Sequence, residues 1–78
     1  MIGRFIILAK VQMFLDGDLV AKELQGFLQD IWESKYEYYD NATSKLITKV
    51  AKILEDNQWY EIDDTEMVKT LKDILQYG

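Results

Sequence analysis

The chain has 78 residues, 14 acids against 9 bases, and no Cys, His or Pro. That length fits one domain, with stability near the low end of the usual ~5–15 kcal/mol. The missing Cys and His exclude disulfides and the common zinc and nucleophile–base chemistries. The net charge of −5 disfavours nucleic acid and anionic membrane as partners and favours a basic protein.

The first element is a helix predicted from about Ile2 to Leu15, apolar around most of its circumference. Its apolar run from Phe5 to Ala9 is five residues long and ends at Lys10. A signal-peptide core needs about 7–15 residues and a membrane span about 20. The expectation is a cytoplasmic protein without processing. Gly17 suits the left-handed position just past this helix, and Asp18 is the expected cap of the next.

In the second helix, Val20, Leu24, Phe27, Leu28 and Ile31 fall on one face. It should continue through Trp32 and fray near Tyr38. Gly26 inside it costs ~1 kcal/mol relative to Ala, and close approach of a neighbouring helix is the expected reason. Asp40 or Asn41 should cap a third helix, with Leu46, Ile47, Val50, Ile53 and Leu54 on its apolar side. The pattern breaks from Glu55 to Asp63. Asp63 with Glu66 then reads as a capping box, Ile62 as the staple residue against Met67, and Met67, Val68, Leu71, Ile74 and Leu75 as the apolar side of a fourth helix. Short connections imply an all-α, small antiparallel four-helix bundle formed by residues 1–78 as a single domain.

Catalytic and metal motifs fail residue by residue. Asp16 and Asp18 have the opening spacing of a calcium loop, but Ala21 stands where Gly is required and Phe27 where Glu is required. The four glycines are scattered, so there is no phosphate-binding loop. Neither Ser34 nor Ser44 follows the Asp that marks the attachment serine of an acyl carrier protein. The expectation is a non-enzyme without cofactor or metal.

The charge is uneven. Residues 55–66 hold Glu55, Asp56, Glu61, Asp63, Asp64 and Glu66 and no Lys or Arg. A second acidic stretch has Asp30, Glu33, Glu37 and Asp40 against Lys35. Aromatics accompany both: Trp32, Tyr36, Tyr38 and Tyr39 with one, Trp59 and Tyr60 with the other. Trp and Tyr are enriched at binding hot spots, and surrounding acids would steer a basic partner. They also serve cores. Core packing is the leading reading for Trp32 and Tyr60, whereas Trp59 is balanced between the two. Asp63 and Asp64 favour the dipole of the fourth helix by ~0.3–1 kcal/mol. Glu55 and Asp56 sit at the negative end of the third helix, where acids are slightly unfavourable, so they have no evident structural task.

Two stretches, ILAKVQMFLDGDLVAKEL and YEIDDTEMVKTLKDIL, make the chain resemble the colicin D immunity protein family. Tyr60-Glu61-Ile62-Asp63-Asp64 reproduces the family's Y-E-I-D-D, and Val68, Leu71, Ile74 and Leu75 continue it. The match follows chain order and is tightest over residues 60–75; Leu24 stands where the family tends to have Phe. The resemblance implies a small helical inhibitor that covers the basic active site of a tRNA-cleaving toxin with acids. Related bundles serve contact-dependent inhibition toxins. By this resemblance the toxin-facing residues are Glu55 and Asp56, with Glu61 as an extension and Trp59 as a possible anchor. Trp32, Glu33, Tyr36 and Glu37 form a possible secondary contact. The alternative is a helical adaptor or regulator that binds a protein through this aromatic and acidic face. The sequence leaves the oligomeric state open.

Overall fold

The computed structural model describes residues 4–33 and 41–77. It contains four helices: α1 (Arg4–Leu15), α2 (Ala21–Glu33), α3 (Asn41–Gln58) and α4 (Asp64–Tyr77). The protein is a small all-α bundle. Three helices follow from one physical cause. In each, apolar residues recur every three or four positions, so helix formation gathers them on a single side.

In α2 that side is Leu24, Leu28 and Ile31; in α3 it is Leu46, Ile47, Val50, Ile53 and Leu54; in α4 it is Met67, Leu71 and Ile74. Ile7 and Val11 of α1, both fully buried, join them in one cluster. Each such side chain contributes ~1.5–3 kcal/mol on burial. Because α1 is apolar almost all round, burying one side leaves others in water: Phe5 is 73% exposed and Ile6 45%. The helices α1 and α3 contact each other and both remaining helices. Among the described residues α2 and α4 flank that pair without meeting. Gln25 of α2 donates to the Gln58 side chain at the end of α3 (3.4 Å), which is consistent with an antiparallel pair.

The first connection turns through a Schellman motif. The Gly17 amide donates to the Phe14 carbonyl (3.1 Å) and the Asp18 amide to the Met13 carbonyl (2.8 Å), with Gly17 at φ 88° as expected. Asp18, however, does not cap α2. The first helical bond runs from the Leu24 amide to the Val20 carbonyl, and the Val20 amide donates to Glu23 Oε1 at 3.2 Å. Val20 is therefore the cap position, with Glu23 supplying the returning arm of a capping box. That place at the helix start lifts Val20 out of the apolar stripe assigned to it, leaving it 61% exposed.

Other expectations also change. A Cβ at Gly26 would meet nothing within 4 Å, so no close helix approach explains this glycine. The third helix persists through Gln58, past the end of its apolar pattern, with Glu55 and Asp56 in its last turn as expected. Asn41 is already helical, so it is not the cap; the other candidate, Asp40, lies outside the described residues, as do Tyr36, Glu37, Tyr38 and Tyr39. Thr43, fully buried, extends the α3 core stripe by one turn.

Candidate functional site

The acidic segment is built around the end of α3. A second Schellman motif closes it: the Tyr60 amide donates to the Asn57 carbonyl (3.1 Å) and the Glu61 amide to the Asp56 carbonyl (2.8 Å). Tyr60 occupies the left-handed position at φ 63°. An L-residue there costs ~1–2 kcal/mol, which is why Gly usually holds it. Tyr60 recovers nothing by packing, because it is 93% exposed. Trp59 beside it is 68% exposed and Trp32 53%. The core-packing readings of Trp32 and Tyr60 are thus overturned, and Trp59 falls on the exposed side. The cause for Trp59 and Tyr60 is the turn: α3 runs one turn further than its apolar pattern and carries them past the end of the core.

Asn57 locks this turn onto α4. Its amide donates to the Ile62 carbonyl (3.3 Å) and to Asp64 Oδ1 (2.9 Å). Asp63 Oδ1 accepts the Glu66 amide at 2.8 Å, and the first bond of α4 runs from the Met67 amide to the Asp63 carbonyl. Asp63 is thus the cap the sequence predicts, and Ile62 packs against the core that contains Met67. Asp64 and Glu66 lie in the first turn of α4, where the dipole favours them.

The four acids and aromatics of the leading site separate into two surfaces. Glu55 and Trp59 line a groove between α2 and α3, together with Trp32, Leu28, Ile47 and Ala51. Asp56 and Glu61 are not part of its lining. Asp56 is half-buried and pairs with Lys52 (3.6 Å), so it has a structural task that the sequence did not reveal. The pair is worth ~0.2–1 kcal/mol at such a surface. Glu61 is exposed in the turn. Glu33 is exposed at the end of α2 and accepts a hydrogen bond from Gln29 (2.9 Å). Trp32 therefore joins Glu55 and Trp59 in one groove, although the sequence placed them in separate clusters.

Tyr60 is the surface residue that sequence reasoning missed. The signal was there in a comparison of the two turns. Asp16-Gly17-Asp18 and Trp59-Tyr60-Glu61 hold equivalent positions, with Tyr where the first turn has Gly.

Among the described residues no group of Asp, Glu, His or Cys is arranged to hold a metal ion, and no helix is long and apolar enough to cross a membrane. No family model, curated protein or solved structure matches the chain.

Proposed function

We propose that this protein is a non-catalytic, cytoplasmic immunity protein. It binds a cognate bacterial nuclease toxin, of the tRNA-cleaving type, and covers the toxin's basic active site with an acidic surface. The observation that carries this reading is the end of α3. Five exposed acids, Glu55, Glu61, Asp63, Asp64 and Glu66, flank an exposed Trp59–Tyr60 pair along the chain. Tyr60 of that pair is held in a backbone conformation that disfavours any residue but Gly. Strain of this kind persists where the surroundings enforce it and is common at binding sites. The likeness of residues 60–64 to the family's end motif supplies the class of partner. Asp63 and Asp64 hold the start of α4, whereas Asp56 is tied to Lys52 only by a weak surface pair, so Glu55, Asp56, Glu61, Trp59 and Tyr60 are the residues assigned to the toxin.

Charge reversal tests this. Glu55→Lys with Asp56→Lys should abolish protection of cells expressing the toxin from the adjacent gene, with helical content retained by circular dichroism. Losing one partner of an interfacial charge pair costs ~2–5 kcal/mol. Full protection by the double variant would refute the assignment. A second reading is favoured by the exposed Trp32 on the groove: an adaptor that binds a regulatory protein through its aromatic and acidic face. An adjacent gene that encodes a metabolic or regulatory protein, and binding lost in Trp32→Ala but kept in the charge-reversed variant, would select it.

A further inference from the structure

The groove between α2 and α3 has a volume of about 580 Å³. Its floor is apolar, from Leu28, Ile47 and Ala51, and Trp32 and Trp59 stand in its walls. It is an open groove and not an enclosed cavity, unlike sites for small molecules, which enclose most of the ligand. The walls are built on the helices α2 and α3, which offer no free strand edge, so an occupant is held by side chains. These features suit an amphipathic helix laid into a groove. Ile47 to Trp59 spans about 18 Å at 1.5 Å per residue, the length of roughly three helical turns.

Charge selects the occupant's sign. Glu55 lines the groove and makes no ion pair among the described residues. The one lining cation, Lys52, is engaged by Asp56. The other α3 cations, Lys45 and Lys49, are not in the lining. Glu33, outside the lining, accepts a hydrogen bond from Gln29 of the wall. Of the charged side chains in the lining, Glu55 is thus the one without an ion pair among the described residues, and a cation drawn to it also meets the Trp59 indole in the same lining. The geometry points to this groove as the docking site for a basic amphipathic helix of the partner protein. The helix's apolar residues lie on Leu28, Ile47 and Ala51, and a Lys or Arg reaches Glu55. The inference deepens the proposed function and rests on it for a basic protein as partner.

The chain has two tryptophans, and both line the groove, so its own emission reports occupancy. The purified full chain is titrated with a capped helical peptide of about three turns carrying leucines at i, i+4 and i+7 and flanking lysines. The expected result is a saturable blue shift. The same peptide with glutamates in place of lysines should bind at least tenfold more weakly, and so should the lysine peptide on Glu55→Gln. Thr48→Tyr, which fills the groove from an exposed helix position without changing charge, should abolish the shift. No saturable shift, equal binding of both peptides, or undiminished binding to Thr48→Tyr overturns the inference. A toxin bound equally well by wild type and Thr48→Tyr also overturns it, while leaving the immunity function standing. Failure of the adjacent gene product to bind either form refutes the function instead.

Discussion

Two residues carry conformational costs that the rest of the fold does not require. Tyr60 sits at φ 63° with 93% of its surface in water. Replacing it by Gly removes the left-handed penalty and no packing. Tyr60→Gly should raise stability by about 1 kcal/mol, which in a domain this small is a rise of roughly 4–8 °C in Tm. A lower Tm would mean that the ring makes contacts this account denies it. If Tyr60 belongs to the toxin-binding surface, the same variant binds its partner less well while folding better. Gly26 is the converse case. It is exposed inside α2 with open space where a Cβ would go. Gly26→Ala should add ~0.4–1 kcal/mol in chemical denaturation, since Ala restricts the unfolded chain and favours helix. A loss of stability would reveal a neighbour at that position.

At the scale of elements, helix faces were legible because period and burial coincide. Every core residue expected on α3 and all three buried positions of α4 follow from spacing alone. The errors fall at ends, where the next turn decides a residue's fate. Val20 fits the α2 stripe by number, yet it precedes the first helical turn and so faces water. Trp59 and Tyr60 are apolar by composition, but a helix extended to Gln58 puts them beyond the core. Asp63 was legible because its cap depends on a local pattern. Asp63→Ala should cost ~0.5–2 kcal/mol by denaturant titration, through the lost bond to the Glu66 amide. An unchanged midpoint would show that the Asn57 bonds alone hold the start of α4.

At the scale of the molecule, α3 orders its charges against its own dipole. Lys45, Lys49 and Lys52 precede Glu55 and Asp56, with no acid in the first turn and no base in the last. The helix dipole favours the opposite order. The Lys52–Asp56 pair offsets part of that cost and leaves Glu55 unpaired among the described residues. The acidic totals of the segment could be counted in the sequence. The sequence could not show that Glu55 and Asp56 face different surroundings, because that depends on which side of α3 meets α2. The groove was hidden for the same reason: its walls come from residues 25–32 and 47–59, which no local pattern connects.

The proposed function requires an acidic surface at the end of α3 to capture a basic partner. Its most direct test is the association rate between this protein and the toxin domain encoded beside it, measured at low and high salt for wild type and for the Glu55→Lys, Asp56→Lys variant. Electrostatic capture predicts a wild-type on-rate that falls steeply with salt and a variant that associates slowly at every salt concentration. A salt-independent on-rate shared by the two proteins would contradict the account.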